Sequence, residues 1–340
     1  MNMSKMEELL KQQKEIVAAI AAEYKREKDE AAKGVAEAQY NLGVLHYKGQ
    51  GVKQDFTEAM DCFKLAAEQG DVRAEISLGV IYENGQGIKQ DYVEAMHWYK
   101  LAATKGNPEA QYHLGFLYEN GHGIKQDYPE ALRLYKLSAK QGNADAEYSI
   151  GFMYENHHGL EQDDIEAVRW YKLASAKGHW NADFRIGAIY SAGLSIKKDY
   201  AESMRWLKLA AQKGHANAQL SLGIMYDQGL GVHQDYAEAM RWYKFSAAQG
   251  NAEAETKIGF MYVNSKGVKQ NYTEAIRWYM LATAKDNAQA LLNLGFLYEH
   301  GHGVELDLQK ALMYYSKAAK KGDENAIKNI DIIQALMNKE

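Results

Sequence analysis

The chain has 340 residues, with 40 Lys or Arg against 45 Asp or Glu for a net charge of −5, and a single cysteine. A mild negative balance without a basic block argues against nucleic acid or anionic lipid as the partner. The lone Cys62 excludes an internal disulfide framework and fits a reducing compartment. Residues 1–33 lack Pro and Gly and read as a helix, with Leu9, Leu10, Ile16, Val17 and Ile20 offering an apolar face. A cap on the N-terminal end of the fold is the plain reading of that helix, and a partner-binding or dimerising helix is the sharper one. Its apolar stretch, residues 16–22, is short and flanked by Lys and Glu, unlike a secretory signal. Nowhere is there the run of roughly 18 apolar residues that a membrane span needs. No membrane insertion is expected, and the expected location is cytoplasmic, or secreted without a classical signal peptide.

From residue 34 the sequence repeats. Glycines stand at Gly43, Gly79, Gly115, Gly151, Gly187, Gly223, Gly259 and Gly295, each 36 residues after the last, and an alanine precedes each by five positions, from Ala38 to Ala290 and again at Ala326. A fixed period of this length marks a stacked helical repeat. The expected organisation is a cap over 1–33, eight units (34–69, 70–105, 106–141, 142–177, 178–213, 214–249, 250–285 and 286–321) and a C-terminal capping helix over 322–340.

Within one unit, Ala74, Leu78, Ile81 and Tyr82 share one face of a helix A predicted from about Val72 to Asn84. Gly85 and Gly87 end it. Asp91 followed by Glu94 then reads as a capping box for helix B, and the pair recurs at Asp55/Glu58, Asp127/Glu130, Asp163/Glu166, Asp199/Glu202 and Asp235/Glu238. A mid-helix glycine costs about 0.8–1 kcal/mol relative to alanine. Accepting that cost in every unit implies that helix B presses on the spot. Helix B carries the matching bulk in a tryptophan row (Trp98, Trp170, Trp206, Trp242, Trp278) and the tyrosine row beside it (Tyr99, Tyr135, Tyr171, Tyr243, Tyr279, Tyr315).

The motif A-x-A-x-x-x-L-G-x-x-Y-x-x-G-x-G-x-x-x-D-Y-x-x-A-x-x-W-Y-x-x-A-A-x-x-G resembles the Sel-one-like repeat family, relatives of the tetratricopeptide repeat, over residues 34–321. The resemblance implies an all-α, right-handed α/α superhelical solenoid with helical caps and with helix A lining the concave side. It also implies that positions equivalent to Arg73, Ile76, Ser77, Val80, Glu83 and Asn84 face the groove. Members of that family are mostly scaffolds and adaptors in signalling, protein quality control and bacterium–host contact. A cysteine-rich bacterial subclass is excluded by the single cysteine. His157, Ser195 and Ser265 depart from the pattern by replacing loop glycines, and Ser203 and Leu207 make the fifth unit the least regular.

Chemistry is hard to find in these residues. His122, His158 and His302 share a loop register, but units lie roughly 10 Å apart, too far to share a metal with bonds of about 2 Å. They read as solvated loop residues, and no metal or cofactor is expected. The Gly-x-Gly pairs follow helices rather than strands and lack a subsequent Gly-Lys-Ser/Thr, so they are turns and not phosphate cradles. The Asp/Glu pairs are caps, Cys62 falls in the tryptophan row and reads as core, and no catalytic residue is assigned.

The groove carries the functional expectation. One row reads Tyr40, Ile76, Tyr112, Tyr148, Phe184, Leu220, Thr256, Leu292, and a second Val44, Val80, Phe116, Phe152, Ala188, Ile224, Phe260, Phe296. Both are apolar almost throughout, as packing between repeats would require. The row beside them varies: Asn41, Ser77, His113, Ser149, Arg185, Ser221, Lys257, Asn293. Arg185 and Lys257 beside aromatic surface would suit an extended acidic peptide. The candidate binding residues are therefore Tyr112, His113, Phe116, Tyr148, Phe152, Phe184, Arg185, Lys257 and Phe260. Asn84, Asn120, Asn156 and Asn264 are candidate clamps for a peptide backbone. The expected function is a non-enzymatic, monomeric scaffold or adaptor that binds a protein or peptide. The alternative is a bacterial effector, or a stoichiometric inhibitor of the immunity type, gripping a folded enzyme.

Overall fold

The computed structural model describes residues 3–337, and among these every regular element is an α-helix. The chain divides into two compact units, Met1–Ala174 and Ser175–Glu340. The first holds α1 (Met3–Ala32), α2 (Ala36–Lys48), α3 (Phe56–Glu68), α4 (Val72–Asn84), α5 (Tyr92–Thr104), α6 (Pro108–Asn120), α7 (Tyr128–Lys140), α8 (Ala144–Glu155) and most of α9 (Asp164–Ala176). The second holds α10 (Trp180–Ala192), α11 (Tyr200–Gln212), α12 (Ala216–Gln228), α13 (Tyr236–Ala248), α14 (Ala252–Val263), α15 (Tyr272–Thr283), α16 (Ala288–His300), α17 (Leu308–Ala319) and α18 (Glu324–Met337). The α4 boundaries are those expected from the sequence.

In each unit the even-numbered A helices pack against the B helix that comes next, and each B helix packs against the next A helix. The pairs are antiparallel. Glu75 at the start of α4 meets Lys105 beyond the end of α5, and Tyr82 near the end of α4 accepts from the amide of Asp91 just before α5. The apolar clusters straddle neighbouring repeats, as where Ala95, Met96, Tyr99 and Ala102 of α5 close on Ala110, Leu114 and Leu117 of α6. No single pair of helices could cover its own apolar face, which is why the unit occurs only in a stack.

The mid-helix glycines are explained by the tyrosine row. A Cβ built on Gly79 would lie 2.4 Å from the Tyr99 ring, and one on Gly115 or Gly151 2.8 Å from Tyr135 or Tyr171. Phe63 takes the same place over Gly43 and Leu207 over Gly187. The tryptophans do a different job: Trp98 packs on the cluster that α3 and α4 form ahead of it. Each buried tyrosine removes about 150–250 Å² from water, an upper bound of about 4–6 kcal/mol by area. The irregular fifth repeat compensates for its smaller residues, since the buried Ser203 hydroxyl donates to the Gly187 carbonyl at 2.7 Å.

Helix ends differ from expectation in one respect. The aspartates do cap their B helices; Asp91, for example, accepts from the amides of Val93 and Glu94. The reciprocal half of a capping box is absent, because the Asp91 amide already donates to the Tyr82 carbonyl, as Asp127 does to Tyr118 and Asp235 to Tyr226. The glutamate at the third position turns outward to an arginine instead, as in Glu130–Arg133 at 2.7 Å and Glu238–Arg241 at 3.3 Å. His157 and Ser265, which replace loop glycines, keep the left-handed conformation, with φ of 60° and 57°.

One set of pairings is not signalled by the repeat motif. Residues 30 apart close the far end of six of the repeats: Gln69 with Gln39, Lys105 with Glu75, Gln141 with Gln111, Lys213 with Asp183, Gln249 with Gln219 and Lys285 with Glu255. In these pairs an acid is matched by a lysine and a glutamine by a glutamine. At the chain ends, Ile20, Tyr24 and Glu27 of α1 contact Gly51, His46 and Asn41 respectively. Ile16 and Val17 remain 58 % and 66 % exposed, and the side chains of Leu9 and Leu10 lie outside the described ones. Ala326 and Ile333 of α18 are buried against α17.

Candidate interaction surface

Under the A-helix face lies a layer of buried hydroxyl–carboxylate bonds. The Tyr99 hydroxyl donates to Glu83 at 2.6 Å, Tyr135 to Glu119 at 2.7 Å, Tyr171 to Glu155 at 2.6 Å and Tyr315 to Glu299 at 2.6 Å. Burial, reinforced by the carboxylate, pushes these tyrosines far above their ordinary pKa at Tyr99, Tyr135 and Tyr315, so they stay donors. Where the side chain over the glycine carries no hydroxyl, as at Phe63 and Leu207, the carboxylate position is Tyr47 and Ser191 instead. This spacing of 16 residues was the signal available in the sequence, and amphipathic periodicity does not reveal it.

Loop residues reach back to the same carboxylates. The His158 ring lies 2.9 Å from Glu119 and stacks on Tyr128, and Lys266 pairs with Asp227 at 3.3 Å while lying over the Tyr236 and Phe260 rings. His122 stacks on Tyr92 at 4.5 Å, and His302 on Tyr272 at 4.8 Å. The expectation that this histidine row is solvated is therefore wrong. Each ring is half-buried, wedged against the aromatic residue that opens the preceding B helix. Among the described residues no group of three or more His, Cys, Asp or Glu is placed to hold a metal ion. Cys62 is buried, and burial, with Glu58 and Asp61 nearby, pushes its thiol up to about 11.

The candidate binding residues fall into two groups. In the first unit Tyr112, His113, Phe116, Tyr148 and Phe152 are all half-buried. His113 lies flat on Tyr99 with centroids 4.8 Å apart and its Nδ1 3.3 Å from Glu83. Burial alone would raise the Glu83 pKa, but the bonds from His113 and Tyr99 and the charge of His113 outweigh it and hold it below its ordinary value. Tyr112 packs on Tyr135 and is pushed up to about 12 by burial, with Asp145 adding to the shift. Tyr148 packs on Tyr171, while Phe116 and Phe152 present edges to His122 and His158.

In the second unit Phe184 stacks on His215 at 4.4 Å, and Arg185 is half-buried and engaged within the fold. Lys257 and Phe260 behave differently. Both line a cavity of about 720 Å³ between α12, α14 and α16, together with Asp227, Lys266, Gln289 and Asn293. Phe260 is 41 % exposed, and Phe296 in the same row on α16 is 43 % exposed. The clamp asparagines spend their amide N–H on their own helix: Asn84, Asn120, Asn156 and Asn264 each donate to the carbonyl four residues back, at 2.8–2.9 Å. They close helix ends.

The Sel1 repeat model matches residues 36–71, 72–107, 108–143, 144–179, 180–215, 216–251, 252–287 and 288–323. Among solved structures, a protective antigen of uropathogenic Escherichia coli displaying an SLR fold is 36% identical with a TM-score of 0.79, over 91% of this chain and 67% of its own. A Sel1 repeat protein from Oxalobacter formigenes is 29% identical with a TM-score of 0.73, over 94% of each chain. No curated protein matches the sequence.

Proposed function

Because the chain belongs to the Sel1 repeat family, whose members are generally protein-interaction scaffolds without enzymatic activity, we propose that it is a non-enzymatic scaffold holding a protein or peptide partner on its A-helix face. The observation that carries this reading is the pair of aromatic residues, Phe260 and Phe296, each about two-fifths exposed on successive A helices. Their counterparts Val44, Val80, Phe116, Phe152 and Ile224 are half-buried. Exposed aromatic rings on a rigid support are the usual anchors of a protein interface, because little side-chain freedom is lost when they are covered. The apolar rows of the first unit are explained by packing and add nothing to the case.

The test is affinity capture from source cells with wild type and the double variant Lys257→Glu/Phe260→Ala, then titration of the purified partner. Loss of a central aromatic and a reversed charge should weaken the complex by at least about 2 kcal/mol, roughly thirtyfold, with unchanged thermal melting. Equal retention by both proteins would remove the A-helix face of the second unit as the binding surface.

A further inference from the structure

We infer that the cavity between α12, α14 and α16 receives an extended polypeptide segment through an acidic side chain held by Lys257, with an apolar side chain of the same segment seated beside Phe260 and Phe296. This rests on the reading of the A-helix face as the binding face and adds the chemistry of what it binds.

Charge supports it first. The cavity's other cation, Lys266, is already paired with Asp227. Lys257 forms no ion pair among the described residues and is half-buried, and Glu253, one turn earlier on α14, is an exposed residue that lines the same cavity without pairing with Lys257. A lysine that lines an open cavity without an ion-pair partner favours an anionic group brought by the occupant. Of the other basic residues in its row, His113 lies against Glu83 and Arg185 is engaged within the fold. The signal is thus specific to this repeat and is not a property of every unit.

The lining narrows the occupant to polypeptide. Gln228 and Gln289 add amides to the wall. Gln289 donates to Asn293 at 3.2 Å, which leaves its carbonyl oxygen to accept. Side-chain amides offer both donor and acceptor, as an extended backbone requires. A phosphate group would call for several free cations, and among the described residues lining the cavity Lys257 alone lacks an ion-pair partner. A volume of about 720 Å³ suits several residues of extended chain. A second hollow of about 180 Å³ shares Phe260 and Asn293 and is walled by Val263, Phe296 and Leu297. It supplies an apolar seat next to the charged one, so the two together select an acidic residue with a large apolar residue close by in sequence.

The experiment is selection of random dodecapeptides displayed on phage against the full chain. An enriched peptide is then labelled and titrated by fluorescence polarisation against wild type, Lys257→Gln and Phe260→Ala. Enriched peptides should share Asp or Glu near an aromatic or large aliphatic residue. Lys257→Gln should weaken binding at least about tenfold, and changing the peptide's acid to its amide should weaken wild type equally but leave Lys257→Gln unaffected. Failure to enrich any peptide, enrichment without acidic residues, or affinity within about twofold on Lys257→Gln would each overturn the inference. Peptides without acid preference that are still lost on Phe260→Ala would sink this inference while sparing the scaffold reading.

Discussion

At the scale of the residue, the clearest feature is a contact rather than a chemical group. Glycine recurs in the middle of the A helices because the ring opposite leaves no room for a methyl group, and the sequence carries that argument openly, since an unfavourable residue kept in every unit demands a reason. The layer beneath was not legible in the same way. An acid four residues after five of the eight glycines looks like ordinary helix surface, and its loss together with the tyrosine hydroxyl, at Tyr47 with Phe63 and at Ser191 with Leu207, is the trace of the bond, although Tyr279 keeps its hydroxyl opposite Val263. Replacing Gly79 by alanine would bring about 1 kcal/mol of intrinsic helix propensity. It would also force a methyl to 2.4 Å from the Tyr99 ring, and overpacking of that kind costs about 1–3 kcal/mol. Gly79→Ala should therefore lower the urea midpoint of unfolding, and a raised midpoint would show that the ring yields freely.

At the scale of the element, helix limits come from local rules while side-chain partners do not. The asparagine or aspartate before the helix and the left-handed glycine after it set the limits of α4, α6 and α16, those of α4 being the ones read from the sequence. The capping box failed because the aspartate amide is committed to a carbonyl of the previous helix, a tertiary bond invisible to local pattern. The consequence is an asymmetry between two neighbours. Asp91→Ala should cost about 1 kcal/mol, whereas Glu94→Ala should stay within about 0.5 kcal/mol as an ordinary surface change. Comparable losses in thermal unfolding would mean that the glutamate caps after all. The same limit of local pattern blurred the binding face. A stripe of apolar residues on helix A looks alike whether the helix B of its own repeat covers it, as at Tyr112 and Tyr148, or leaves it more open, as at Phe260.

At the scale of the molecule, stability is distributed, because each cluster joins only neighbouring helices. Residues 216–251 span one full period. Gln219 pairs with Gln249, Ser246 donates to the Ala216 carbonyl, and Asn251 donates to Asn217, all inside it. Deleting that block should leave a folded, cooperatively melting protein whose helical circular dichroism falls in proportion to 36 of 340 residues. Deleting 30 residues from the same place should abolish cooperative melting by throwing every later contact out of phase. If both deletions behaved alike, periodic stacking would not be what holds the chain together.

The pairs 30 residues apart bear on a hazard peculiar to such proteins. Near-identical helices can dock on the wrong neighbour while the chain is still collapsing, and multi-repeat proteins are prone to this misassembly. Were α4 to close on α7 instead of α5, the buried Glu75 would meet Gln141, and Lys105 would be stranded from its acid. Gln141 could donate a hydrogen bond to that carboxylate but brings no positive charge, so the buried acid would lose its counter-ion. Acid–lysine and glutamine–glutamine ends thus act as addresses, alternating along most of the chain, by which each helix recognises its own mate and rejects the look-alike next door.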